Sequence, residues 1–222
     1  MRSMLDVPCG DVNWQFDAWE IDSLENYVGL DVVRPVIAMN EQRFCHHSNK
    51  IFRPWNFATC KQLPKIVDSS NARGTRPFDL IHVRDVTQHM PLQEALAALY
   101  SIVSSGARFM VTTTFERDSI ADEGAQGPRQ KGSAPKKVKV PYQLRWAYVN
   151  HQIGNGQMHP YDLSADPFEI PEPVRCVETH PEHEADLTCL FRLDTPEFAA
   201  WAQKVRKQLG QLASKKQLDS GR

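Results

Sequence analysis

The sequence predicts an α/β fold, a mostly parallel sheet with helices packed on both faces. Two observations carry this. Apolar runs of strand length alternate with segments of helical periodicity over the first half of the chain. The runs at 3–7 and 78–83 are apolar enough to read as a buried and a central strand. Crossovers between such strands are right-handed.

The elements follow in order. "SMLDV" (3–7) reads as a short buried strand, and "NWQFDAWEI" (13–21) as a helix with Trp14, Ala18 and Ile21 on one face. "YVGLDVV" (27–33) is a second strand. Pro35 opens the next helix, which carries Ile37, Asn40, Glu41 and Phe44. "KIFRPWNF" (50–57) is a weaker strand, because Pro54 cannot donate to a ladder. "FDLIHV" (78–83) is central in character. In "PLQEALAALYSIVSSG" the residues Leu92, Ala95, Leu96, Leu99 and Val103 form one helical stripe, opened by Pro91 and closed by Gly106. "ARFMVTTTF" (107–115) is a fifth strand. Residues 116–141 are polar, with little to build a core, and read as a mobile loop. Residues 142–173 are rich in aromatics and proline. "VRCVETH" and "LTCLFRL" are two further strands joined by an acidic turn. Thr195 and Pro196 start a last helix with Phe198, Trp201, Val205, Leu209 and Leu212 as its stripe, and a polar tail covers 214–222.

Bulk properties narrow the function classes. The 222 residues suffice for one domain with a real core, and a net charge of -1 gives no field that favours DNA. Five cysteines without a C-x-x-C pair read as reduced thiols in a cytoplasmic setting. No apolar run is long enough to span a membrane. Cys45-His46-His47 and His180-x-x-His183 lack a second pair at zinc spacing, so no metal is expected. "PKKVKV" (135–140) reads as a solvated basic stretch.

In parallel sheets ligands bind beyond the carboxyl ends of the strands. Polar or aromatic clusters stand at those ends here: Asp6 to Trp14, Asp31, Asn56 with Phe57, and Arg84 to His89. Gly10 allows backbone to approach a ligand closely. Asp31, at the next strand end, stands where a carboxylate accepts from ribose hydroxyls. Asn56 and Phe57 offer an amide and an aromatic face for a purine. A dinucleotide needs G-x-G-x-x-G under its pyrophosphate, and only Gly10 is present. An adenosine cofactor with an amino-acid end in place of phosphates suits the turn, with Asp6 facing its ammonium.

"LDVPCGD", "GLDVV", "FDLIHVRDVTQHMP" and "ARFMVTTTF", in that order, resemble a class I S-adenosylmethionine-dependent methyltransferase, with "LDVPCGD" a variant of the first motif. The resemblance covers residues 3–115 by motif and extends to 193 through the two late strands. It implies a Rossmann-like three-layer sandwich whose seven-stranded sheet ends in an antiparallel pair. It implies a domain over 1–213 with an acceptor-side insertion at 142–173, and an N-terminal helix missing ahead of the first strand. It implies S-adenosyl-L-methionine as cofactor, with Asp6 and Gly10 at its methionine end, Asp31 at the ribose, Asn56 and Phe57 at the adenine, and Arg84 lining the site. Val12 departs from the family's glycine pattern and would narrow the pocket.

The expected reaction is methyl transfer to a small-molecule or sugar-like acceptor, on oxygen. His89 is the first candidate base and Asp85 the second, or its orienter. His159, Tyr161 and Phe168 are expected to wall the acceptor pocket. The alternative is a methyltransferase-like subunit that binds the cofactor without catalysis and acts through a protein partner.

Overall fold

The computed structural model describes residues 1–56, 62–68, 74–115, 161–178 and 186–220. The loop expected at 116–141, the insertion as far as residue 160, Phe57 and His159 lie outside the described residues.

Parallel pairing radiates from the first strand. β1 (Ser3–Asp6), fully buried, pairs in parallel with β2 (Asn26–Asp31) on one side and β6 (Leu80–Val83) on the other. β3 (Lys50–Pro54) extends the sheet beyond β2, and β7 (Phe109–Phe115) beyond β6. β9 (Asp186–Arg192) runs antiparallel to β7, and β8 (Arg175–Glu178) antiparallel to β9. The seven-stranded order is β3-β2-β1-β6-β7-β9-β8. Strand order reverses between β1 and β6, because the chain winds outward to β3 and then crosses back. Pro54 fits at the end of an edge strand, where no ladder needs its missing N–H.

Two layers finish the sheet. On one face α3 (Leu92–Val103) and α4 (Pro196–Ser220) bury Leu5, Val7, Ile81, Val83 and Met110. The α3 stripe is the expected one: Leu92, Ala95, Leu96 and Leu99 are all buried, and Gly106 ends the segment at φ +85. On α4, Phe198, Trp201 and Val205 face inward, and the Phe198 N–H donates to the Thr195 hydroxyl at 3.4 Å, capping the helix. The helix runs to Ser220, past the boundary at 213 that the sequence suggests. On the opposite face α2 (Arg34–Arg43) and the segment after β1 enclose Met4, Cys9, Val12, Tyr27, Ile37 and Phe52.

Several expectations need correction. Residues 13–21 do not form one helix. A 3₁₀ turn at Gln15–Asp17 and a single turn α1 (Trp19–Asp22) are separated by Ala18 in extended backbone at ψ 112. Trp14 and Trp19 are 46% and 73% exposed. The break follows from Gln15, whose amide turns inward to bond Asp6 and the Cys9 carbonyl. A separate antiparallel pair, β4 (Ile66–Val67) with β5 (Thr75–Arg76), has strands too short to leave a sequence signature. Cys176 and Cys189, directly opposite on β8 and β9, form a disulfide, so the reading of all thiols as reduced fails for this pair. Cys9 and Cys45 are free. No described helix is long and apolar enough to cross a membrane.

Candidate functional site

The crevice forms where β1, β2, β3 and β6 end. After Asp6 the Val7 N–H donates to the His82 carbonyl and the Cys9 N–H to the Leu30 carbonyl, both at 2.9 Å, so the turn is sewn to both neighbouring strands. Gly10 then takes φ +58, a region glycine enters without steric cost, and the space where a Cβ would stand is open to 4 Å. Its N–H donates to Asp31 Oδ2 at 3.1 Å, and its carbonyl accepts from Asn40 Nδ2 at 2.7 Å. The Cys9 thiol is pushed well up by burial and then by the charges of Asp6 and Asp31, so it stays protonated beneath the turn.

Asp31 ties the second strand to the first turn. Its Oδ1 accepts from the Val33 N–H at 2.9 Å, while its backbone carbonyl accepts from the Trp55 N–H at 2.7 Å and so anchors the end of β3. Asn56 follows there and is exposed.

Asp6 corrects the sequence reading. It is 0% exposed and does not face the crevice. Its Oδ2 accepts from Tyr27 Oη at 2.6 Å and Gln15 Nε2 at 3.0 Å, and its Oδ1 lies 2.7 Å from His82 Nδ1. A carboxylate so fully engaged has no face left for an ammonium group. Burial, the Asp6 charge and the hydrogen bond to it raise the Tyr27 phenol well above its ordinary range, which keeps it a donor.

Val12 also departs from expectation. It takes the left-handed backbone of a glycine, φ 52, yet its side chain is fully buried among Met4, Cys9, Tyr27 and Phe52. Apolar burial offsets a strain of roughly 1–2 kcal/mol. The side chain points into the core and leaves the pocket its width.

At the end of β6, Asp85 is held in positive φ, 55. Its N–H donates to the Thr113 hydroxyl at 3.1 Å, and its Oδ1 accepts from that hydroxyl at 3.0 Å and from Gln88 Nε2 at 3.2 Å. Arg84 Nε pairs with its other oxygen at 3.1 Å. These contacts fix the carboxylate so that it orients Gln88 and Arg84. His89 ends a 3₁₀ turn on the surface.

The acceptor-wall residues divide. Tyr161 sits at the β7 end, half-buried, with its carbonyl accepting from the Phe115 N–H at 3.1 Å and its hydroxyl donating to the Met90 carbonyl at 2.8 Å. Phe168 is a correction: it is 2% exposed inside the α3–α4 core, and its carbonyl accepts from Trp201 Nε1 at 2.5 Å. Sequence reasoning missed His82, which reads as an ordinary position of an apolar strand. Its one available signal was the place of Asp6 and His82 near the ends of the two central strands. Among the described residues no group of three His, Cys, Asp or Glu is placed to hold a metal.

Solved structures share this fold. PKMT2 from Rickettsia typhi in complex with AdoHcy matches at TM-score 0.53 and 10% identity over 88% of this chain and 49% of that one. LepI in complex with SAM matches at 0.51 and 14% identity, over 86% and 42%. The S-adenosylmethionine-dependent methyltransferase SibL in its apo form matches at 0.50 and 12%, over 86% and 50%. The fold is that of the class I methyltransferases. This chain spans about half or less of each of these three methyltransferase-fold proteins. No protein-family model and no curated protein matches the sequence.

Proposed function

We propose that the protein transfers a methyl group from S-adenosyl-L-methionine to a small-molecule or sugar-like acceptor, on oxygen. One observation carries the reading: in a class I methyltransferase fold, the turn open above Gly10 is tied by its own N–H to the carboxylate that ends the neighbouring strand. An amino-acid-bearing nucleoside fits this cradle. It has no phosphates to place on bare backbone, and a single glycine suffices. The backbone around Gly10 holds the methionine end, Asp31 the ribose hydroxyls, and Asn56 with Phe57 the adenine, while Arg84 lines the site. When bound, the cofactor supplies an electrophilic methyl on a sulfonium.

The chain's own contribution is alignment and proton removal. Holding acceptor and methyl donor in line removes much of the entropic barrier. Asp85, fixed by Thr113, Gln88 and Arg84, orients that side of the pocket, with Tyr161, anchored on Met90, as its wall. The burial of the Val12 side chain in the core weakens one of the two motives for the non-catalytic reading.

Calorimetry with S-adenosylmethionine, S-adenosylhomocysteine and NAD tests the reading. Saturable binding of the first two and none of NAD is the expected result, with at least tenfold weaker binding in Asp31→Ala. Binding of NAD alone, or of none of the three, overturns it. Methyl-labelled cofactor with phenol and monosaccharide pools then separates transfer from mere binding.

A further inference from the structure

Successive peptide units of the turn after β1 are held differently. The Cys9–Gly10 unit is fixed at both ends: its carbonyl accepts from Gln15 Nε2 at 2.8 Å, and its N–H donates to Asp31 Oδ2 at 3.1 Å. The Gly10–Asp11 unit is fixed at one end only. Its carbonyl accepts from Asn40 Nδ2 at 2.7 Å, and its N–H has no partner among the described residues. Asn40 stands on α2, fully buried, and its Nδ2 also lies 3.9 Å from the Cys9 sulfur. The other half of its amide, Oδ1, is buried without a partner among the described residues. A buried oxygen left unpaired is destabilising, and an apolar side chain would fill this place without that cost. What the amide supplies instead is a donor aimed at one carbonyl.

Peptide geometry carries the consequence. In a trans unit the C=O and the N–H point to opposite sides, and the Gly10–Asp11 unit is trans. With the carbonyl drawn inward to α2, the Asp11 N–H is turned outward, away from the layer of Met4, Cys9 and Ile37. That side is open: Asp11 is exposed, and nothing stands within 4 Å of a Cβ placed on Gly10. Glycine itself resists a flip of this unit little. Reversed, the unit would present a carbonyl oxygen to the open side and bury its N–H against Asn40. The Asp11 carboxylate does not compete for its own N–H. It accepts from the Asn13 N–H at 3.2 Å and from Asn13 Nδ2 at 2.7 Å, and Asn13 Oδ1 accepts in turn from Arg43 at 2.9 Å.

An N–H held outward calls for an oxygen acceptor. The cofactor of the methyl-transfer reading carries one, the carboxylate of its amino-acid end. We propose that Asn40 is a positioning residue of the cofactor site: by holding the Gly10 carbonyl, it aims the Asp11 N–H at that carboxylate. The inference rests on the methyl-transfer reading above. Asn40 itself touches no ligand and acts through the peptide it fixes. The donor is supplied already oriented, so reordering of the turn does not oppose binding.

A pair of ligands separates this role from plain support of the fold. S-adenosylhomocysteine carries the carboxylate, whereas 5′-methylthioadenosine keeps the adenosine and the thioether without it. In the wild type, S-adenosylhomocysteine should shift the Asp11 amide signal in ¹H–¹⁵N spectra, and 5′-methylthioadenosine should leave it in place. By calorimetry, Asn40→Ala should weaken S-adenosylhomocysteine about tenfold, the share of one charge-assisted hydrogen bond, and change 5′-methylthioadenosine by less than about twofold. Asn40→Asp, similar in shape but without a donor when ionised, should weaken S-adenosylhomocysteine at least as much. Equal weakening of both ligands would reduce Asn40 to support of the fold and overturn the proposal. So would unchanged S-adenosylhomocysteine affinity in Asn40→Ala, or a wild-type Asp11 signal indifferent to bound S-adenosylhomocysteine. That last measurement needs no variant and decides the matter even where Asn40→Ala folds poorly. A wild type that binds neither ligand defeats the methyl-transfer reading, and this inference with it.

Discussion

Under α3 and α4 the sheet buries Leu5, Ile81, Val83 and Met110 in one continuous aliphatic layer, with Leu96, Leu99 and Ile102 fully enclosed. On the opposite face the layer of Met4, Tyr27, Ile37 and Phe52 covers β1 to β3, and beyond it His82, Trp14 and Arg84 line a groove. The first face is finished mainly by hydrophobic packing, with Trp201 Nε1 donating to the Phe168 carbonyl inside it. The second depends on hydrogen bonds to a buried carboxylate. Polar order, which is directional, fixes side chains on the second face, and non-directional burial holds the first together.

Substitutions on the two faces should differ in kind as well as size. The largest expected effect is on the sealed face. Leu96→Ala removes a fully buried side chain from the centre of α3 and should cost about 3 kcal/mol in urea unfolding. Cofactor affinity should stay unchanged in the fraction that remains folded. An equal loss of affinity would mean that the faces are not separable.

Tyr27→Phe acts on the polar face. At neutral pH it removes one donor from Asp6, an expected loss of about 1–2 kcal/mol. Burial, followed by the Asp6 charge, raises the folded-state phenol above its unfolded value. Its contribution is therefore fully present below the unfolded value of about 10, and it is lost as pH rises through the raised folded value. Urea midpoints between neutral and strongly alkaline pH should fall more steeply in the wild type than in Tyr27→Phe. Parallel curves would show that Tyr27 is not the alkaline switch.

Val12→Gly should have the smallest effect. It relieves the backbone strain but gives up buried surface and loosens the unfolded chain, for a net loss of about 1 kcal/mol. Calorimetric affinity for S-adenosylmethionine should not change. A gain in affinity would place the Val12 side chain in the pocket after all.

Particular residues show how much of this was legible. The α3 stripe and the strands at β1, β2, β6 and β7 were readable, since continuous apolar runs and three-to-four spacing report burial directly. The strand ends at Asp6, Asp31 and Asp85 were readable as a polar cluster because parallel sheets expose their carboxyl ends in common. Whether a given carboxylate faces the crevice was not. Asp6 and Asp31 end neighbouring strands in the same way, yet one is sealed by side chains of Tyr27, Gln15 and His82 while the other, also buried, takes the backbone N–H groups of Gly10 and Val33. Phe168 reads as a pocket wall by position and packs as core.

Local patterning therefore determined most elements of this protein, their order and the end of the sheet where the polar clusters gather. Tertiary structure alone decided the partners: Asp6 with His82 across two strands, Cys176 with Cys189 in register, and Val12 turned into the core. The reason is range. Periodicity records what each residue does with its own backbone, whereas these pairings join positions distant along the chain, and only the packed sheet brings them within a hydrogen bond, a disulfide or a van der Waals contact.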